Sequence, residues 1–459
     1  MATANSSQQR MLLMDNVDLE YEDIEDEAAA SPSRFASYAM FKFFGHAIAS
    51  PSAVAITLMQ AQFLPNARTR RRLAHLGSGT DSEHSDSENY QDFTEPAAAE
   101  EAAHEQENGD SDSSLDPLDE LLSSSTASAM APNGASQKTD NDGFLIQSSP
   151  LDGASRPPYM LPPLISSSVL KTMGVVRRHP DEGTSGLFKG LSASFFASLA
   201  TETIEPLLTT TVCDSLGLND TLPLVDHDNP VPIAAVCITT SVIADVLLSP
   251  LDIARVRLIL QTSRPDRKYR GLIHALRTQF MDARINPYSN LSLLFPTVAV
   301  SLCHHMFGFL TPLLLDRGMG ISEVYNPLKY ALLELFVHTA RDLMLVPLQT
   351  AQVRLYAQPS AHPRDGRPWL SLVPLSPIPY SGLGNCVSQI MHNEGGSRAD
   401  VHALAEKKQR RDTNPTAIGL WARVAPLYQG LASKMMSNVL YCGIRILTEI
   451  IEITDGEEF

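Results

Sequence analysis

The stretch Pro250-Leu-Asp-Ile-Ala-Arg-Val-Arg-Leu-Ile-Leu-Gln261 has two counterparts with a similar arrangement of residues. One runs Pro51-Ser-Ala-Val-Ala-Ile-Thr-Leu-Met-Gln-Ala-Gln62, and the other runs Pro347-Leu-Gln-Thr-Ala-Gln-Val-Arg-Leu-Tyr-Ala-Gln358. The second and third prolines are 97 residues apart, whereas the first two are 199 apart, one repeat plus about 100 extra residues. A helix-kinking proline near the end of each apolar run predicts a three-fold membrane bundle rather than a soluble enzyme.

The extra residues of the first repeat form a low-complexity acidic stretch. Between positions 81 and 152 there are 18 acidic residues and one basic residue, Lys138, so this stretch alone matches the formal charge of −17 of the whole chain. Its few large apolar groups cannot offset the entropy of ordering, which predicts a disordered insertion over about residues 73–157. Residues 1–32 form a second acidic segment, an amino-terminal arm, which argues against an Arg-rich transit peptide and a cleavable signal peptide.

Hydropathy predicts six membrane-spanning helices, two in each repeat. The segments 285–315 and 43–67 contain no Asp, Glu, Lys or Arg, and the latter is followed by a basic flank at Arg68–Arg72. Four other apolar segments carry charges, which we expect to face the interior of the bundle: 190–216, 231–261, 327–358 and 427–453. A soluble helical solenoid is the alternative, and it explains the charge-free segments less well.

Metal and cofactor sites are not predicted. The five cysteines are scattered without paired spacing, and His304 and His305 are adjacent, so they point about 100° apart on a helix. No phosphate-binding Gly-x-x-x-x-Gly-Lys-Ser/Thr pattern occurs, and we expect neither enzymatic activity nor nucleic-acid binding.

Further motifs follow the proline-containing helices. Each is followed by a tyrosine, at Tyr159, in Tyr269-Arg-Gly271 and in Tyr380-Ser-Gly382, and then by a short amphipathic segment. The even-numbered spanning segments are preceded by Glu182-Gly-Thr-Ser-Gly-Leu-Phe-Lys-Gly190 in repeat one and Leu427-Tyr-Gln-Gly430 in repeat three. Together these motifs resemble the mitochondrial carrier family. The resemblance implies an all-α membrane protein of three tandem two-helix repeats, at residues 33–216, 217–318 and 319–459.

In that family, ion pairs close the bundle at both ends. The resemblance assigns the first set to Pro51, Pro250, Asp252, Arg255, Arg257, Pro347 and Arg354, but only repeat two has both the acid and the base. The second set falls at Glu202, Glu205, Tyr441 and Arg445, with Phe307-Gly308-x-x-Thr311 as the match in repeat two. We predict one pair across helices, Arg445 with Glu202. Segments 190–213 and 291–315 have no Lys or Arg, which predicts an interior poor in cations.

The eroded ion pairs predict a carrier fold that does not transport. Alternating access requires two closed states of similar energy, and most of the pairs that would favour each state are missing. The resemblance is strongest to carrier-related fusion proteins of the fungal mitochondrial outer membrane. It implies a multi-pass scaffold that contacts lipids, a mitofusin-type outer-membrane GTPase and a dynamin-like inner-membrane GTPase, with a homo-oligomer as a further expectation. The alternative is an inner-membrane transporter of a neutral or cationic solute.

Overall fold

The computed structural model describes residues 32–66, 69, 156–164, 168–218, 224–225, 227, 229–265, 267–282, 285–323, 325–358, 369–395 and 420–456. The predicted acidic arm up to residue 31, residues 73–155 of the predicted insertion and the arginines of the basic flank lie outside these residues. Residues 32–66 and 158–456, where described, belong to one compact unit.

Helices make up nearly all of the regular structure in the described part of the chain. A long helix, a short helix and a second long helix follow one another three times, and in the third set the five-residue helix α9 precedes the last helix. The bounds are α1 Pro32–Ala61, α2 Val169–Arg178, α3 Leu191–Leu216, α4 Pro230–Leu260, α5 Leu272–Met281, α6 Leu291–Leu313, α7 Pro327–Tyr356, α8 Leu383–Asn393, α9 Leu420–Val424 and α10 Leu431–Gly456. Extended pairing in the described residues is limited to one antiparallel bridge between Gln261 and Ser371.

Three of the long helices are long and apolar enough to cross a membrane. These spans are Phe35–Ala61, Pro230–Leu260 and Leu291–Gly318, with mean hydropathies of 1.2, 2.1 and 1.6. The protein therefore has the character of a membrane protein. Helices α3, α7 and α10 are of comparable length, at 26, 30 and 26 residues, and contain three, five and five charged residues.

The three motif prolines lie inside the helices that the sequence predicted. Pro51, Pro250 and Pro347 are each nine or ten residues from the end of α1, α4 and α7. A proline removes one intrahelical hydrogen bond and tilts the helix axis there. The predicted boundaries of α3, α4 and α7 agree with the structure to within two residues, whereas α1 begins eleven residues earlier than predicted.

The residue that precedes α3, α6 and α10 occupies an equivalent position in the three repeats, but its type differs. Gly190 and Gly430 precede α3 and α10 with φ of 76° and 87°, a left-handed conformation that glycine adopts without steric cost. Asn290 precedes α6 in extended conformation, and its side-chain oxygen accepts a hydrogen bond from the Ser292 amide at 3.0 Å. Side-chain capping by asparagine therefore replaces glycine in the middle repeat.

The main apolar core lies around the carboxyl-terminal ends of α1, α4 and α7. Leu58, Ile253, Leu260, Leu355 and Tyr356 are among its fully buried members. The short helices α2 and α8 add Val176 and Ile390 to the same core. One end of the bundle is thus closed by close-packed apolar side chains.

Candidate functional site

Polar side chains join neighbouring long helices near their midpoints. Between α1 and α3, Glu202 accepts hydrogen bonds from the Lys42 ammonium and the Tyr38 hydroxyl. Between α3 and α4, the Ser241 hydroxyl donates to Glu205 at 2.5 Å. Glu205 is the fifteenth of the 26 residues of α3, so these contacts lie near mid-height of the bundle.

The same type of contact continues along α4, α6 and α7. The Asp245 carboxylate accepts a hydrogen bond from the Ser301 hydroxyl at 2.6 Å and lies 2.9 Å from Nε2 of His305. Closer to the end of the bundle, Thr297 on α6 and Tyr356, the last residue of α7, share a hydroxyl hydrogen bond of 2.5 Å. We call these contacts, together with those between α7 and α10, the polar chain.

Three contacts between α7 and α10 complete the polar chain. Asn438 donates to the Asp342 carboxylate at 2.8 Å, and the Lys434 ammonium donates to Gln349 at 2.6 Å. Arg445 forms ion pairs with Glu334 on α7 and Glu323 on the connector before it. In a low-dielectric surrounding such bonds are costly to break, so the polar chain fixes the helices to one another.

The predicted pair between Arg445 and Glu202 is wrong. Arg445 binds the acidic residues of its own repeat, and Glu202 binds Lys42. The error has a physical cause, since α1 begins at Pro32 and therefore contributes a base that the predicted span from residue 43 omitted. Glu323 and Glu334 were not predicted, because the family pattern concerns the second long helix of each repeat, whereas Glu334 lies on α7 and Glu323 on the connector before it.

The predicted match at Phe307 and Thr311 is also wrong. Helices α3, α6 and α10 each begin at a leucine. Glu205, His305 and Arg445 lie at the same distance from these leucines, so the match in α6 is His305. The spacing of Asp282, Tyr288 and Asn290 repeats that of Glu182, Phe188 and Gly190, and this was the sequence signal for the correct alignment. An alignment by the preceding glycine does not find this match, because asparagine occupies the glycine position in repeat two.

Bases do line the space between the helices, although α3 and α6 supply none. They come from α1, α7 and α10, as Lys42, Arg341 and Lys434. Arg341 lies 3.4 Å from the adjacent Asp342 carboxylate. The prediction of an interior poor in cations therefore holds for two helices and fails for the bundle.

The acid and base of the proline motif pair within one helix. Arg255 and Asp252 are one turn apart on α4, with their side-chain charges 3.6 Å apart and 35% and 43% exposed. A pair inside one helix cannot hold two helices together. This contact therefore does not close the bundle.

Arg257 and Arg354 lie seven residues after their prolines and are both buried. The Arg257 guanidinium donates to the Tyr269 hydroxyl at 3.1 Å and to the Gln358 carbonyl at 2.9 Å, and it stacks on Trp369. Arg257 thus connects α4 to two segments, the one that follows α4 and the one that follows α7.

Arg354 is the most completely bonded charge in this region. It donates to the carbonyls of Gln60 and Gln62 at 2.8 and 2.7 Å, to both carboxylate oxygens of Glu394 and to the Tyr380 hydroxyl. These five contacts use all five guanidinium N–H groups, and both charges are about 97% buried. We call this group the Arg354 junction. It ties together the ends of α1, α7 and α8.

The role of Glu394 was not predicted from the sequence. The dipeptide Glu394-Gly395 follows α8 as Glu182-Gly183 follows α2, but residues 396–419 separate it from Gly430. Glu182 has a comparable role, since it accepts from the Ser263 amide and hydroxyl at 2.8 Å and pairs with Lys189. Burial lowers the pKa of the Lys189 ammonium, and the nearby Glu182 opposes this effect.

The described residues contain no group of three or more His, Cys, Asp and Glu side chains placed to hold a metal ion. All five cysteines are free thiols. Burial raises the pKa of the Cys386 thiol on α8 to about 12, against the opposing charge of Arg354.

Comparison with known proteins gives no relatives: no protein-family model and no curated protein matches this sequence.

Proposed function

We propose that this chain is a non-enzymatic scaffold of the mitochondrial outer membrane, built on a carrier-like bundle of six spanning helices. Three long helices have the length and hydropathy to cross a membrane. Through the polar chain α3 and α7 are hydrogen-bonded to these helices and α10 is hydrogen-bonded to α7, which is the arrangement that lets charged helices reside in a bilayer. The three-fold recurrence of long, short and long helices supports the carrier-like repeat.

The Arg354 junction is the observation that carries the proposal against transport. Alternating access needs pairs that break in one state and form in the other. If the ends of α1 and α7 separated, this buried arginine would keep Glu394 but lose two acceptors, the Gln60 and Gln62 carbonyls, and buried N–H groups without an acceptor are costly. The switch-like pair of the proline motif, Asp252 with Arg255, lies within a single helix instead.

The proposed partners are the mitofusin-type GTPase of the outer membrane and the dynamin-like GTPase of the inner membrane. The support for them is the carrier resemblance and the concentrated negative charge of residues 81–152. A polyanionic segment attracts basic surfaces over several ångströms and accelerates encounter. In this proposal the insertion captures partners, while the bundle anchors it in the lipid.

Co-purification tests this role. We expect that neutralising all acidic residues between 81 and 152 to Asn and Gln reduces co-purification of the fusion GTPases but leaves membrane extraction behaviour unchanged. A control that reverses the order of residues 81–152 keeps the charge and should retain capture. Equal capture by the neutralised protein would refute the docking role.

Transport of a neutral or cationic solute remains the second candidate, because side chains of the polar chain stay partly exposed between the helices. The Asp245 side chain is 34% exposed although it lies at the centre of α4. Uptake by reconstituted liposomes that Glu202→Gln abolishes would favour this candidate. No uptake of any solute class would count against it.

A further inference from the structure

An extended segment between α7 and α8 crosses from one helix end to another. We call residues 369–375 the strap. The Leu372 amide donates to the Leu260 carbonyl at 2.7 Å, and the Thr262 amide donates to the Leu370 carbonyl at 3.1 Å. With the bridge between Gln261 and Ser371, these bonds pair the strap with the end of α4.

The strap is also bonded to both segments that flank the acidic insertion. The Phe63 amide, just after α1, donates to the Pro374 carbonyl at 2.8 Å. The Leu161 amide, just after the insertion, donates to the Leu372 carbonyl at 2.7 Å. The strap therefore joins the ends of α1 and α4 and is held by both roots of the insertion.

Side chains of the strap fill the apolar core at this end of the bundle. Leu372 and Val373 are each 1% exposed and pack in the same cluster as Leu260, Leu58 and Leu355. The Arg257 guanidinium stacks on the Trp369 ring with a separation of 5.4 Å. This packing and the paired backbone make the strap an ordered closure and not a loose connection.

Partly exposed polar groups lie on the inner side of this closure. Asp245, Asp252 and Arg255 follow one another along α4 toward the end that the strap covers. Charged side chains placed between membrane helices hold water and ions when a path reaches them. In the observed arrangement, the strap and the apolar core stand between these groups and the end of the bundle.

We propose that the strap is an autoinhibitory plug, which keeps the ends of α1 and α4 together and so closes a polar interior that would otherwise conduct small ions. The insertion could release the strap, because Phe63 and Leu161, which hydrogen-bond to the strap, flank the insertion on both sides. A force on the insertion would reach the Leu161 bond through residues 158–160, whereas on the other side it would first meet Asn66, whose amide is bonded to the Asn393 carbonyl at 2.8 Å, and then Phe63. This inference goes beyond the scaffold role and requires only the membrane bundle.

Potassium efflux from liposomes tests the plug. The full-length protein is reconstituted into potassium-loaded liposomes, and efflux is followed with an ion-selective electrode. The variant Leu372→Gly/Val373→Gly removes the buried side chains of the strap and adds backbone freedom. Ile378→Gly is the matched control, since Ile378 follows the strap but is exposed. We expect efflux about tenfold faster from the strap variant than from wild type or control, a modest shift toward the open state.

A second variant tests the plug if the first variant does not fold. Leu161→Pro deletes the amide that binds Leu372 but suits the proline-rich extended sequence around it, Pro157-Pro-Tyr-Met-Leu-Pro-Pro163. We expect an intermediate efflux rate with unchanged helical content by circular dichroism. If the strap variant does not fold, Leu161→Pro decides the question.

Two outcomes would overturn the plug. One is a folded strap variant, or a folded Leu161→Pro, that retains potassium as well as wild type. The other is wild type and control releasing potassium as fast as the variants. Neither outcome bears on partner capture, which is measured without liposomes, so the failure of the plug and the failure of the scaffold role are distinguishable.

Discussion

At the scale of single residues, Arg354 joins the ends of α1, α7 and α8 at the closed end of the bundle. Its partner Glu394 accepts from the Leu64 amide as well as from the guanidinium, so the pair connects three separate parts of the chain. Buried pairs contribute little net energy compared with apolar residues of similar volume, but they are costly to break on one side. The value of Arg354 is therefore specificity of packing.

That asymmetry predicts the behaviour of variants. Glu394→Gln leaves a buried guanidinium without a counter-charge and should destabilise the bundle by about 3–5 kcal/mol. Arg354→Met combined with Glu394→Gln should cost less than the sum of the two single variants. Thermal unfolding in detergent measures the three proteins, and additive losses would show that the residues do not interact.

The thiol of Cys386 gives an independent test of the Arg354 junction. Cys386 is buried, and its raised pKa keeps it in the unreactive thiol form. We expect Cys386 to resist N-ethylmaleimide at pH 8 in the native protein, and Glu394→Gln to accelerate its modification. Mass spectrometry of the peptide identifies the site, and equal rates in both proteins would contradict the link between the junction and the packing of α8.

Sequence patterns found some of these residues and missed others. Arg257 and Arg354 were predictable because they keep a fixed distance from a proline. The partner Glu394 was not found because residues 396–419 interrupt the motif. Ion pairs between helices depend on which faces meet, and a repeat pattern does not specify this. The pairing of Arg445 with Glu323 and Glu334 was accordingly mispredicted.

At the scale of elements, the helix starts set how closely the long helices approach. A Cβ atom added at Gly430 would lie 2.9 Å from the Ile56 side chain, and one at Gly190 would lie 3.0 Å from Ile259. The first glycine brings α10 against α1, and the second brings α3 against α4. Glycine is thus required at both positions by its conformation and by its neighbours.

Matched glycine variants separate these two requirements. Gly217 also has a positive φ, of 67°, but an added Cβ would have no neighbour within 4 Å. Gly217→Ala should therefore cost only the conformational term, about 1 kcal/mol. Gly430→Ala should cost more, since Ile56 must also move. Equal shifts in the midpoint of thermal unfolding would show that the close approach is unimportant.

The elements themselves were the most predictable part of the fold. Apolar runs interrupted by proline specified α4 and α7, and the amphipathic segments after the tyrosines are the helices α2, α5 and α8. The strap was not predicted. Its short apolar sequence has no periodicity, and its role comes from contacts with residues more than 100 positions away in sequence.

At the scale of the whole molecule, two properties combine in one chain. The bundle is held by the polar chain between its helices and, at one end, by an apolar core with the Arg354 junction. Nearly all of the net charge resides in the segment between residues 81 and 152. A rigid anchor and a separate polyanionic segment suit the capture of partners at a membrane surface better than the cyclic opening of two gates.

Protease protection on intact mitochondria tests this account most directly. Epitope tags are placed at the amino terminus and within the acidic insertion, and protease is added before and after rupture of the outer membrane. An outer-membrane scaffold with an even number of spans predicts that one tag is cleaved before rupture and the other only afterwards. Protection of both tags until rupture would contradict the account and favour an inner-membrane transporter.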